Sequence, residues 1–159
     1  MARVAHIANL GAEEPYDDAS LQAAPRRGEI LLIEDCTEVR EGLAQLLELH
    51  GYMVSEFADA ERGMRELETQ PRAFALVILD LMLGDSMGGT DFRLRQLLDE
   101  QLASVPTIVI TASDVAPPDR LPLHPQGWLE KPFRFDTLLE LVKQYVIAEA
   151  SGLLSDAQA

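Results

Sequence analysis

A doubly wound α/β fold is what the sequence predicts: five parallel strands in one sheet, in the order 2-1-3-4-5, with helices on both faces. Three observations carry this expectation. Short, wholly apolar runs recur along the chain, the mark of strands buried on both faces. Segments with apolar residues at helical spacing separate them. Right-handed crossovers leave few topologies for such an alternation, and 2-1-3-4-5 is one of the commonest.

Residues 30–33 form the first apolar run. A helix follows, with Val39, Leu43, Leu46 and Leu47 on one face and Gly51 where a C-terminal cap belongs. Residues 52–57 read as a second short strand. Ala60, Met64 and Leu67 set a weaker helix, because an interior Gly63 costs about 1 kcal/mol against Ala. The run 74–79 is the third strand. Gly88-Gly89-Thr90 then breaks the chain, and Leu94, Leu97 and Leu98 mark a third helix. Pro106 introduces a fourth strand at 107–110, and 127–129 is a brief fifth. Between them, 114–126 holds Pro117, Pro118, Pro122 and Pro125. An interior proline costs ~3 kcal/mol in a helix, so the fourth helix is expected to be irregular or missing. Phe135, Leu138, Leu139, Val142, Tyr145 and Val146 keep a clear helical period in the last element.

This alternation occupies 29–147, the expected domain. Residues 1–28 carry no sustained period and read as an N-terminal extension, and 148–159 as a C-terminal tail. The 159-residue chain has 13 Lys and Arg against 27 Asp and Glu, a net charge of −14. Such a surface repels phosphates and anionic lipid, so neither direct nucleic-acid binding nor membrane binding is expected. The single Cys makes no internal disulfide, and Cys36 reads as a reduced, packed thiol. No apolar run approaches the roughly 20 residues of a membrane span. The N-terminus lacks the continuous apolar stretch of a signal peptide. The expected location is the cytoplasm.

Function in such sheets collects beyond the C-terminal strand ends, where the strand order reverses. Strand one ends in Glu34-Asp35 and strand three in Asp80, which brings three carboxylates to one crevice. Two unit charges 4 Å apart repel by about 4 kcal/mol at an effective dielectric of 20, so a cation or a raised pKa has to relieve them. Magnesium suits carboxylate oxygens and shares its shell readily with phosphate. Strand four adds the hydroxyl of Thr111, and strand five adds Lys131-Pro132. An acidic pair for a metal, a carboxylate nucleophile, a hydroxyl donor and a fixed ammonium suit phosphoryl transfer to an aspartate.

These residues sit in Ile-Leu-Leu-Ile-Glu34-Asp35, Val-Ile-Leu-Asp80-Leu-Met-Leu, Ile-Val-Ile-Thr111-Ala and Gly-Trp128-Leu-Glu-Lys131-Pro132-Phe133. With them the chain resembles the receiver domain of two-component response regulators, from about residue 29 to 147. The resemblance implies the flavodoxin-like, CheY-like form of the fold. It implies that Asp80 accepts a phosphoryl group from a phosphohistidine on a sensor histidine kinase or a histidine phosphotransfer protein. It further implies magnesium held by Asp35, Asp80 and the Met82 carbonyl, with Glu34 acting through water. Thr111 and Lys131 would each hold a phosphoryl oxygen, Lys131-Pro132 would be a cis peptide, and Trp128 would take the place of the switch aromatic. Gly84 stands where the family often has proline, which implies a looser loop.

The expected function is that of a stand-alone response regulator, because 159 residues leave no room for a fused output domain. It would signal to another protein by conformational change or by onward transfer, as a monomer or a homodimer. Its chemistry would be self-phosphorylation and self-hydrolysis, not turnover of a metabolite. One alternative is an adaptor that keeps the fold and works without phosphorylation. The other is a magnesium-dependent phosphohydrolase using an aspartyl phosphate, although Met82 stands where such enzymes need a second acid.

Overall fold

The computed structural model describes residues 25–84, 86–112 and 122–148. The expected extension up to residue 24, the tail from 149 and the Pro-rich stretch 113–121 lie outside the described residues. The elements are β1 (Glu29–Ile33), α1 (Thr37–Leu49), β2 (Val54–Phe57), α2 (Ala60–Thr69), a 3-10 turn (Pro71–Ala73), β3 (Phe74–Asp80), α3 (Gly89–Leu97), the single-turn α4 (Glu100–Ala103), β4 (Thr107–Ala112), β5 (Gly127–Lys131) and α5 (Phe135–Tyr145). The strands form one parallel sheet ordered β2-β1-β3-β4-β5, as the sequence predicts.

Side chains alternate across each strand, so the apolar runs feed two cores. Ile30, Leu32, Leu76, Ile78, Ile108 and Ile110 meet Leu43, Leu47, Leu138 and Val142 from α1 and α5. Leu31, Ile33, Val77, Leu79 and Val109 meet Met64, Leu67 and Phe92 from α2 and α3. Every residue of β3 is buried, which is why its sequence shows no polar alternation. α1 closes as expected: Gly51 adopts φ +87°, and the Tyr52 N–H turns back to donate to the Leu47 carbonyl at 3.2 Å.

The strands at the functional edge run further than their apolar runs. β3 continues to Asp80, paired with Ile110, and the β4–β5 ladder continues through Thr111↔Glu130 and Ala112↔Lys131. Backbone pairing takes no account of side-chain polarity, so the ladder carries polar residues to its end. β2 starts at Val54 and not at 52; Tyr52 is instead packed in the core under α1 and α5. Beyond α5, Arg26 forms a parallel bridge with Val146, with the Ile147 N–H donating to the Arg26 carbonyl at 2.9 Å.

The third helix forms as expected, but its leucines do not mark the face it buries. Leu94 and Leu98 are exposed, and the buried face consists of Gly89, Phe92, Arg93 and Gln96. Arg93 and Gln96 go inward because backbone carbonyls and the Thr107 hydroxyl wait there for their donors. Phe92→Ala is therefore expected to cost about 3–5 kcal/mol, the usual range for emptying a buried phenyl site. Leu98→Ala should stay within about 0.5 kcal/mol. Urea denaturation of the two variants checks the assignment of the face.

Candidate functional site

Because β1 and β3 are neighbours at the centre of the sheet, their C-terminal ends deliver Glu34, Asp35 and Asp80 to one place. A carboxylate oxygen from each lies within 4.8 Å of the others. Glu34 and Asp80 are buried, whereas Asp35 is exposed. From the end of β5, the Lys131 Nζ donates to Glu34 Oε2 at 2.7 Å and to Asp80 Oδ2 at 2.8 Å. The acidic cluster, with the amine opposite it, is therefore assembled as the sequence predicts. The mutual repulsion is relieved by the tethered ammonium, a pairing between residues 97 positions apart.

The other oxygen of each buried carboxylate accepts from backbone. Asp80 Oδ1 accepts from the Met82 N–H at 2.8 Å, and Glu34 Oε1 accepts from the Cys36 N–H at 3.1 Å. Burial pushes the Glu34 carboxyl above its ordinary range and Asp80 adds to this, while the Lys131 and Cys36 hydrogen bonds pull it back only in part. For Lys131, burial acts to lower the pKa, but its hydrogen bonds and ion pairs with Asp80 and Glu34 outweigh burial and raise it. The ammonium is a permanent positive charge at neutral pH.

The donor set is entirely carboxylate oxygen, each atom with lone-pair capacity beyond the hydrogen bond it accepts. Such a set fits a hard divalent cation and not a soft one. Thr111, at the end of β4, is fully buried, and its Oγ1 has no hydrogen-bond partner among the described residues. A buried hydroxyl left unpaired is costly, and this one can still donate to a group placed at this edge. Trp128 on β5 is half-buried and packs against the core under α2 and α3. Met82 points its side chain largely into solvent and takes part through its backbone. Lys131-Pro132 is cis.

Three details depart from the sequence reading or add to it. Gly84 contributes a bond that proline could not: its N–H donates to Asp35 Oδ2 at 3.1 Å. Cys36 is exposed and not packed, because it occupies the N-cap of α1 and projects outward, with its Sγ 3.4 Å from Glu38 Oε2. Arg40, which the sequence gives no reason to single out, donates from Nη1 to the Glu34 carbonyl at 3.0 Å and faces Glu56 at 3.6 Å. It ties the turn carrying Glu34 and Asp35 to α1 and β2.

The chain matches the model of the response regulator receiver domain over residues 30–143. It is 30% identical over 124 residues to the transcriptional regulatory protein CpxR homolog of Haemophilus influenzae, covering 77% of this chain and 52% of that protein. It is 32% identical over 121 residues to the alkaline phosphatase synthesis transcriptional regulatory protein SphR of Synechococcus elongatus, covering 70% and 46%. The chain thus spans about half the length of the curated relatives it matches. In fold it is similar to the chemotaxis protein CheY4 of Vibrio cholerae, with a TM-score of 0.65 at 22% identity, covering 76% of this chain and 100% of that one. The family match runs from the second residue of β1 through the other four strands to the last turn of α5, and this chain belongs to the response regulator receiver domain family.

Proposed function

We propose that this receiver domain accepts a phosphoryl group on Asp80 from a phosphohistidine, carried by a sensor histidine kinase or a histidine phosphotransfer protein in the cytoplasm. The observation that carries the reading is the Lys131 ammonium 2.8 Å from Asp80 and 2.7 Å from Glu34, on the sheet edge that also holds the Thr111 hydroxyl, which has no partner among the described residues. A carboxylate oxygen of Asp80 attacks phosphorus as the phosphorus–nitrogen bond breaks. The imidazole nitrogen keeps that electron pair and takes a proton from solvent. Positioning and charge neutralisation supply most of the rate in such transfers.

Each residue has a part in this chemistry. The Met82 N–H orients Asp80 through Oδ1. Lys131 passes from the Asp80 carboxylate to a phosphoryl oxygen, and Thr111 donates its hydroxyl to another. Glu34, Asp35, Asp80 and the Met82 carbonyl would hold magnesium, which when bound offsets the charge of the phosphoryl oxygens. Engagement of Thr111 draws in the end of β4, and Trp128, on the adjoining strand, registers the shift. The result is a conformational signal, or onward transfer, to another protein. The domain modifies and slowly hydrolyses itself and turns over no metabolite.

The test uses Trp128, the only tryptophan in the chain. Magnesium followed by beryllofluoride or a small phosphodonor should change its emission in the wild type, with no response to the phosphoryl mimic in Asp80→Asn. Absence of a response in both folded proteins would overturn the reading in favour of a phosphorylation-independent adaptor. Sustained turnover of a phosphomonoester beyond one equivalent would overturn it in favour of a phosphohydrolase.

A further inference from the structure

Arg93 is 1% exposed, and no carboxylate pairs with it among the described residues. Its guanidinium is spent on neutral acceptors. Nε donates to the Leu123 carbonyl at 2.8 Å and Nη2 to the His124 carbonyl at 2.8 Å. Nη1 donates to Gln96 Oε1 at 2.7 Å and to Thr107 Oγ1 at 2.9 Å. Burial holds its pKa down to about 10, which leaves it charged at neutral pH. Burying a cation without an anion is expensive, and the group is retained only where good hydrogen bonds compensate.

Leu123 and His124 lie just before β5, between Pro122 and Pro125, which have no N–H to offer any partner. The carbonyls between the two prolines are what a clamp can hold, and Arg93 holds both. Just beyond, Gln126 is fastened to the start of β4: its N–H donates to the Thr107 carbonyl at 2.9 Å, and its Oε1 accepts from the Thr107 N–H at 2.7 Å. β5 is an edge strand paired with β4 alone, and Gly127 opposite Ile108 places Lys131 opposite Ala112. A one-residue slip would turn every side chain of β5 to the other face of the sheet, Lys131 included.

We propose that Arg93 is a positioning residue for Lys131, fixing the start of β5 so that the ammonium arrives between Glu34 and Asp80. Its action on the site runs through β5. The acidic groups stand at the ends of β1 and β3, with which β5 forms no ladder; it reaches them only through the Lys131 side chain. Loss of Arg93 therefore separates two properties that general loosening would lower together.

The inference rests on the phosphoacceptor reading for one of its readouts. Magnesium affinity, measured by calorimetry, should not fall in Arg93→Met or Arg93→Lys, and should rise where the ammonium is displaced, since it then competes less with the cation for Glu34 and Asp80. The rate of phosphorylation by a small phosphodonor should fall by roughly tenfold or more in Arg93→Met, since a misplacement of about 1 Å can cost 10²-fold. Arg93→Lys, which keeps the charge but cannot reach both carbonyls, should fall less, and it carries the test alone if Arg93→Met does not fold. Equal losses of affinity and rate, or no change in either, overturn the proposal. If wild type takes no phosphoryl group, the phosphoacceptor reading has failed, and amide hydrogen exchange over 127–131 then decides: faster in Arg93→Lys supports the clamp, and unchanged overturns it.

Discussion

Lys131→Met is expected to unfold in urea with a loss of about 2–3 kcal/mol at neutral pH. Breaking a buried ion pair from one side costs roughly 3–5 kcal/mol, because a charge is left uncompensated in the interior. Two carboxylates, Glu34 and Asp80, lose their partner at once here, but the Lys131 side chain is itself 29% exposed, which places the expectation below that range. The pH dependence has a definite sign. Burial already holds Glu34 above its ordinary value of 4.5, and Lys131 is among the groups pulling it down. In the variant it climbs further. A carboxyl whose folded pKa exceeds its unfolded one loses stability as pH rises through the interval between them. The deficit of Lys131→Met should therefore be smallest below pH 4.5 and grow towards neutrality. In the wild type the raised Lys131 contributes fully below 10.5 and loses its contribution as pH rises through the higher folded value. Urea titrations at several pH values check both limbs; a deficit independent of pH would mean that lost packing, and not the uncompensated carboxylates, dominates.

Gly89→Ala is expected to cost about 3 kcal/mol, the upper part of the usual range for overpacking. A Cβ at Gly89 would press into the Asp80 carbonyl oxygen and carbon and the Leu81 Cα. All three obstacles are main chain, so no rotamer change makes room. Either α3 lifts from the sheet or the end of β3 is displaced, and Asp80 moves in the second case. Weakened magnesium binding should accompany the loss of stability. Gly42→Ala in α1 is the control: nothing lies within 4 Å of its Cβ position, so removing glycine's backbone freedom should stabilise by about 0.5–1 kcal/mol. Thermal denaturation of the two variants, with a magnesium titration of each, gives the comparison.

The sheet was legible because its strands are buried on both faces and carry unbroken apolar runs. The functional edge was legible because polar residues follow those runs immediately: Glu34 and Asp35 after β1, Asp80 at the end of β3, Thr111 on β4 and Lys131 on β5. The face of α3 was not. Arg93 and Gln96 are surface residues by type, and their burial depends on partners such as the Leu123 carbonyl, 30 positions away. Leu94 and Leu98 offered the stronger apolar signal and proved exposed. Gly88-Gly89 read as a break in the chain, whereas Gly89 is demanded by how closely α3 approaches the Asp80 backbone. The Gly84 N–H and the Arg40 guanidinium escaped notice for a related reason. Each serves a group brought near only by the closed sheet, and no local period announces it.

The three acidic groups meet solvent unequally, with Glu34 and Asp80 sealed and Asp35 open. Dissolved salt screens an exposed charge over a Debye length of about 8 Å at physiological ionic strength, but reaches a sealed pair much less. The cluster thus divides into an outer carboxylate whose pull on approaching ions fades in brine and an inner couple that ionic strength hardly alters. Capture of a cation from the medium and retention of the lysine tether become separable quantities, the first set by the surroundings and the second by the protein.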